Sequence, residues 1–272
     1  MIRVCVAGAT GWVGRALVPA IADAADLELT GAVARSFAGR RVSELLPNGA
    51  RASTAAKVVI RASVEEALAA ETDVLVDYTS PELVKSNVLA AVRRRAHVVI
   101  GTSGLTTSDF DEIDSAAREY GVGVIAGANF AVSAILLESF ATIAARYLPS
   151  WEILDFASAT KPDAPSGTAR RLASRLASVR APATAIPAAQ THGEPAARGL
   201  ELESTQVHSI RLPGHVIGAE VMFGSADERL SIRYEGGGGA SPYVKGTLAA
   251  VRRVTTLTGL SQDLEQVLRF AQ

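Results

Sequence analysis

The first 130 positions repeat one pattern: a short apolar run, a glycine or polar break, then apolar residues recurring every three or four positions. Ile2–Gly8 is the first such run and predicts a strand. Val13, Ala16, Leu17, Ala20 and Ile21 then fall at i, i+3, i+4, i+7 and i+8, one face of a helix, with Pro19 inside it as an expected kink. Leu27–Ala34 alternates as a strand does, and Lys57–Ile60, Val74–Tyr78, His97–Ile100 and Val122–Ala126 are further β-branched runs. Strands separated by helical segments predict an α/β fold, a parallel sheet with helices on both faces.

Beyond Phe130 the pattern changes. A long helix over about Ala131–Tyr147 leads to a strand at Trp151–Ala157, a polar loop at Ser158–Ser166, and a second helix marked by Ala169, Leu172, Ala173, Leu176 and Ala177. Ala181–Gly199, rich in Ala and Pro, reads as loop; Gln206–Leu212, Val216–Gly224 and Leu230–Glu235 read as strands of an antiparallel or mixed sheet. After the glycines Gly236–Gly239 a final helix starts near Tyr243. The expected organisation is a nucleotide-type domain over 1–129, an inserted α+β domain over 130–242, and a C-terminal helix over 243–272 returning to the first domain. Tyr120 to Leu137 carries no charge, but its Gly and Asn residues favour a buried strand, a tight loop and a helix start over a membrane span.

Composition narrows the function classes. Lys and Arg total 27 against 28 Asp and Glu, so no broad basic surface draws the chain to nucleic acid or to anionic lipid. One Cys cannot form an intramolecular disulfide, and the first residues enter a strand directly without a signal-peptide pattern; both fit a reducing, cytoplasmic location. No pair among the four His has metal-ligand spacing, Cys5 falls on a predicted core strand, and no metal site is expected.

Two motifs carry chemistry. Gly8-Ala9-Thr10-Gly11-Trp12-Val13-Gly14 follows the first strand and opens the first helix, where glycines permit a tight turn and the helix N-terminus meets a pyrophosphate. This context predicts a Rossmann-type dinucleotide site. At the end of the second strand, where a carboxylate would bind the ribose of NADH, the chain has Arg35, which favours the 2′-phosphate of NADPH, with NADH as the secondary cofactor. The second motif is Lys161-Pro-Asp163-Ala-Pro-Ser166-Gly167-Thr168-Ala169, just before an amphipathic helix. Its backbone N–H groups and the two hydroxyls of Ser166 and Thr168 can hold a carboxylate or phosphate. Lys161, one of only four Lys beside 23 Arg, adds positive charge and can release a proton if burial lowers its pKa.

With these residues in view, the chain resembles the dihydrodipicolinate reductase (4-hydroxy-tetrahydrodipicolinate reductase) family over essentially its whole length. The resemblance includes Val76-Asp77-Tyr78-Thr79-x-Pro81, Gly101-Thr102-Ser103-Gly104, Ala128-Asn129-Phe130 and His208-Ser209-Ile210-Arg211. It implies NAD(P)H-dependent reduction of a cyclic conjugated imine carboxylate on the route to lysine, in a homotetramer joined through the second domain. It also implies that Gly8, Ala9, Thr10, Gly11, Trp12, Val13 and Arg35 hold the adenine half of the cofactor. Thr79 belongs to the same cofactor set, and Gly101, Thr102, Ser103, Gly127, Ala128, Asn129 and Phe130 flank the nicotinamide. Gly167 and Thr168, with Ser166, bind a substrate carboxylate, and Lys161 matches the proton donor.

The chain also departs from the family. Two adjacent His before the Lys are Ala157 and Ser158 here, a Ser-Ser-Arg after the last strand aligns with Gly238-Gly239-Ala240, and a Gly-Glu-His is Gly218-Ala219-Glu220. These changes remove an imidazole that titrates near neutral pH and a bidentate carboxylate partner. Two alternatives therefore stand beside the family reaction: an NADPH-dependent imine reductase for a different cyclic imine, and a non-catalytic NADPH-binding protein.

Overall fold

The structure is a computed structural model and describes residues 1–44, 54–262 and 264–265. The chain divides into two compact units, Met1–Phe130 with the chain from Ala240 onward, and Ala131–Gly239.

The first unit begins with β1 (Ile2–Ala7), α1 (Gly14–Asp23), β2 (Leu27–Val33), β3 (Ile60–Arg61), α2 (Val64–Ala67) and β4 (Val74–Asp77). It continues through α3 (Pro81–Arg93), β5 (His97–Ile100), α4 (Thr107–Tyr120) and β6 (Gly123–Ala126). In the second unit come α5 (Val132–Ala144), β7 (Ser150–Ala157), α6 (Gly167–Ala177), β8 (Leu200–Leu202), β9 (Thr205–Arg211), β10 (Ile217–Gly224) and β11 (Arg229–Gly236). The chain then returns to the first unit with α7 (Ser241–Val254) and β12 (Gly259–Ser261).

The first sheet has seven strands in the order β12-β6-β5-β4-β1-β2-β3, with parallel pairing throughout. Its strands read as unbroken apolar runs because both faces are covered. One face packs Cys5, Ala7, Leu75, Val98 and Ile100 against Val84, Val88, Val92, Ile113 and Ala117 of α3 and α4; α1 and α7 pack together and against strands of the same sheet. The second sheet has five strands in the order β11-β10-β7-β9-β8, mixed because β7 and β9 run parallel while the other pairs are antiparallel. Trp151, Ile153, Val221 and Phe223 from this sheet form a core with Leu137 and Ala141 of α5 and Leu172 and Leu176 of α6.

Three expectations change. The strand at Lys57–Ile60 is instead a 3-10 turn at Thr54–Lys57 followed by a two-residue β3. Val58 and Val59 are drawn away from β2 by the incoming chain: Val42 N–H donates to Val58 O at 2.9 Å, and Arg41 bridges Val59. The C-terminal helix does not run through 243–272: α7 ends at Val254, Gly259 takes a positive φ of 83°, and β12 adds an edge strand beside β6. The last part of that expected helix, 266–272, lies outside the described residues. β8 falls just beyond the expected Ala/Pro loop, and α1 continues through Pro19 to Asp23. The uncharged stretch from Tyr120 to Leu137 divides into β6, a short connection and the start of α5, and no described helix is long and apolar enough to cross a membrane.

Candidate active site

In the first unit the chain crosses from β1 to β2 on one side, while β4 borders β1 on the other. Such a switch point leaves a crevice at the carboxyl ends of the strands, where open α/β sheets bind their ligands. The glycine-rich turn lies there. Gly8 and Ala9 N–H both donate to Val33 O at 3.0 Å, which fixes the exit from β1. Gly8 has φ +82°, and a Cβ on it would stand 2.1 Å from the Tyr78 carbonyl oxygen. Gly14 is equally constrained, since its Cβ would stand 2.1 Å from Gly8 O. No side chain caps α1; Arg15 and Ala16 N–H are taken by Gly11 O and Val13 O at 3.0 Å, so an anion would be met by the N–H groups of the glycine-rich turn before them, where the glycines leave room for a pyrophosphate. Ala9 and Val13 are buried and offer only backbone; Trp12 is half exposed and packs edge-on against Tyr243, with ring centroids 5.3 Å apart. Arg15 folds back so that its Nε donates to Thr10 O at 2.8 Å.

Arg35 opens a 3-10 turn directly after β2 and is exposed. The Glu82 carboxyl is held below its usual range by the Ser80 hydroxyl first, with Arg35 adding a weaker coulombic pull.

The ends of β4 and β5 are joined by a polar cluster around Asp77, which is fully buried. Its Oδ1 accepts hydrogen bonds from Thr79 Oγ1 at 2.7 Å, Thr102 Oγ1 at 2.6 Å and Thr79 N–H at 3.1 Å, while Oδ2 accepts from Asn87 Nδ2 at 2.8 Å. The Tyr78 ring passes between Gly101, which has no room for a Cβ, and α7, where its hydroxyl bonds Thr247 Oγ1 at 2.8 Å. Burial raises the Tyr78 phenol far above its ordinary pKa. Ser103 is exposed. Gly127 N–H donates to Ile100 O, and Ala128 is exposed beside it, whereas Asn129 and Phe130 are buried. Phe130 can therefore contribute only its backbone to a ligand.

In the second unit the predicted anion turn is built on another buried carboxylate. Asp155, at the end of β7, is fully buried; its Oδ2 accepts from Ser166 N–H at 2.8 Å, Arg211 NH2 at 2.7 Å and Ser209 Oγ at 3.1 Å. Arg211 also donates to Asp163 O at 2.8 Å, so one guanidinium ties β9, β7 and the loop together. Burial pushes the Asp155 carboxyl up, but its contacts with Ser166 and Arg211 outweigh this and hold it below the ordinary value.

Ser166 is the N-cap of α6, and its Oγ accepts from Ala169 N–H at 3.2 Å. Its hydroxyl is buried and already committed, which removes one of the two hydroxyls expected for ligand binding. Gly167 and Thr168 remain: Gly167 is exposed with open space where a Cβ would sit. Lys161 is not sunk in apolar surroundings. Its ammonium is a third exposed and pairs with Asp163 at 2.7 Å. Ala157 is buried at the end of β7, and Ser158 Oγ bonds Thr160 Oγ1. The remaining His are placed as follows. His97 accepts from Gly123 N–H, His208 bonds Glu152, and His215 packs on Phe156 at 5.2 Å in the turn whose Val216 O accepts from Ser158 N–H. Among the described residues no cluster could hold a metal ion.

The sequence motifs contained Asp77 and Arg211, and the expected strand Trp151–Ala157 contained Asp155, without revealing their roles. Asp77 closes the otherwise apolar run Val-Leu-Val-Asp, and a charge at that position in a buried strand was the available signal. Asp155 and Arg211 give no comparable signal, since their pairing depends on the register of β7 with β9.

A glycine-rich turn at the switch point of a parallel sheet, with a second unit whose α6 opens on an exposed glycine, fits the class of dinucleotide-dependent oxidoreductases. Two family models cover most of the chain: dihydrodipicolinate reductase, N-terminus, matches residues 2–130, and dihydrodipicolinate reductase, C-terminus, matches 133–268. The chain belongs to the dihydrodipicolinate reductase family, whose members are NAD(P)H-dependent oxidoreductases. The 4-hydroxy-tetrahydrodipicolinate reductase of Symbiobacterium thermophilum is 38% identical over 268 residues, covering 98% of this chain and 97% of the relative. The Bacillus licheniformis enzyme of the same name is 33% identical over 268 residues, covering 98% of each. A solved dipicolinate-bound dihydrodipicolinate reductase from Paenisporosarcina sp. TG-14 superposes with a TM-score of 0.81 at 28% identity, over 97% of this chain and 98% of that one.

Proposed function

We propose that this chain reduces 4-hydroxy-tetrahydrodipicolinate, a cyclic conjugated imine dicarboxylate of the lysine route, and that it prefers NADPH to NADH. The observation that carries this reading is the turn Ser166–Thr168. It is a helix N-terminus with its cap internally satisfied, anchored through Asp155 to Arg211, and it leaves Gly167 and Thr168 open to a carboxylate.

Bound NADPH supplies the hydride. The chain's residues do the rest. The turn at Gly8–Gly14 and the N-terminus of α1 hold the pyrophosphate, and Arg35 meets the 2′-phosphate. Gly167 N–H and Thr168 fix one substrate carboxylate. Lys161 adds positive charge beside it and delivers the proton that accompanies the hydride. Ala157 and Ser158 leave this proton transfer to Lys161, or to a water that it orients. The resemblance adds a homotetramer in the cytoplasm, assembled through the second unit. The sheet face opposite α5 and α6 supports this assembly, since it presents the exposed Met222 and the half-buried Leu154.

Substituting Gly167→Asp tests the reading. The position has open space for the new side chain, so the fold is retained, while the added charge repels a substrate carboxylate. We expect kcat/KM for the dicarboxylate to fall by about 10-fold or more, the equivalent of one good charge-assisted hydrogen bond, with NADPH affinity unchanged. An unchanged kcat/KM would remove the turn from substrate binding.

A further inference from the structure

A fully buried carboxylate at the end of a parallel strand is costly unless every contact to it is a donor. Asp77 meets that condition, and the way it does so has a chemical consequence. Thr79 Oγ1 and Thr102 Oγ1 each have one hydrogen, given to Asp77 Oδ1 at 2.7 and 2.6 Å, with Asp77 O a longer second acceptor for Thr102 at 3.3 Å. The two bonds to Oδ1 are short and charge-assisted. Asn87 holds the other carboxylate oxygen at 2.8 Å, so the carboxylate cannot turn away from the two threonines. Thr102 Oγ1 also accepts from Thr79 N–H at 2.7 Å, and Thr79 Oγ1 takes a long contact of 3.4 Å from Asn87 Nδ2. Each hydroxyl oxygen thus keeps one lone pair and has no proton left to give. Both residues are only half buried and stand at the carboxyl ends of β4 and β5, on the ligand-binding edge of the sheet.

We infer that Asp77 is a positioning residue that turns Thr79 and Thr102 into acceptor-only groups, so that this edge of the site selects a ligand N–H donor, the carboxamide NH2 of the nicotinamide. The inference rests on the proposed NADPH site and adds the determinant that reads the carboxamide. An acceptor pair rewards an amide and gains nothing from a ketone of the same shape, because the ketone offers no donor.

The probes are NADP+ and its 3-acetylpyridine analogue, in which a methyl group replaces the carboxamide NH2. Their dissociation constants are measured by calorimetry on the full-length protein. The wild type is expected to bind NADP+ about 10- to 100-fold more tightly than the analogue, the range for a hydrogen bond to a charge-supported acceptor. In Asp77→Asn the side-chain amide can donate towards the threonines, which frees their protons to point outward; the preference is expected to collapse to within about 3-fold, since the lost increment is that one bond. Thr102→Val and Thr79→Val should each reduce the ratio, and Thr102→Ser should restore it. The valine variants decide the matter if Asp77→Asn does not fold. A wild type that binds NADP+ without discriminating against the analogue overturns this inference alone, as does a ratio unmoved in the valine variants. A wild type that binds neither nucleotide overturns the NADPH site as well.

Discussion

Lys161 is the residue on which the proposed chemistry turns, and its surroundings specify what its loss should do. Its pairing with Asp163 is a partly exposed ion pair, of a kind worth about 0–1 kcal/mol, so removing it should not unfold the second unit. Asp163 is held below its usual carboxylate range chiefly by its hydrogen bond to Lys161. Lys161→Ala is expected to lower kcat by about 100- to 10,000-fold, the usual range for general acid help, while NADPH affinity and melting temperature stay at the wild-type values. Turnover equal to wild type would exclude Lys161 as the proton source. Asp155 and Arg211 play a different part: Asp155 is fully buried and the Arg211 side chain is 16% exposed, and losing one partner of a pair so shielded from water costs about 3 kcal/mol. They tie the turn to β7 and β9 through Ser166 N–H and Asp163 O.

At the scale of elements, the β1–α1 turn is the most demanding piece of backbone in the first unit. Gly8→Ala puts a Cβ into a left-handed conformation and against the fixed carbonyl of Tyr78. The expected cost is about 1–3 kcal/mol of stability, read from the denaturation midpoint, together with at least about 10-fold weaker NADPH binding as the turn shifts. A variant with wild-type affinity would show that the cofactor does not depend on this turn. The same element shows what a linear reading can recover. Glycine spacing, an apolar strand before it and a 3.6-residue apolar period after it are all local, and they identified the turn correctly. Long, strongly patterned elements such as β5, α5, α6 and β10 were legible for the same reason. β3 and β12 were not: each is two or three residues long, and its strand character comes from pairing with β2 or β6. The candidate site divides in the same way. Gly8, Gly167 and Lys161 announce themselves by motif, whereas the donor network of Asp77 and the commitment of Ser166 Oγ to its helix cap depend on contacts that sequence spacing does not encode.

For the whole molecule, the near balance of 27 basic and 28 acidic residues conceals two candidate anion sites, one in each unit. Both are helix N-termini supported by a buried carboxylate nearby: Asp77 at the edge that borders the nucleotide turn, and Asp155 beneath the substrate turn. The first unit keeps the glycine-rich turn and the Arg35 that the proposed cofactor site uses. The second keeps the turn and the lysine but has Ala157 and Ser158 at the positions where the family resemblance calls for imidazoles. The central claim is that this reduced set still performs the family reaction. The direct test is the initial rate of NADPH oxidation by the purified protein with freshly generated 4-hydroxy-tetrahydrodipicolinate, set beside monocarboxylate cyclic imines and repeated with NADH. The account predicts saturable turnover with the dicarboxylate, a higher kcat/KM for it than for any other imine, and a higher kcat/KM with NADPH than with NADH. No turnover of the dicarboxylate, with turnover of another cyclic imine, would contradict it.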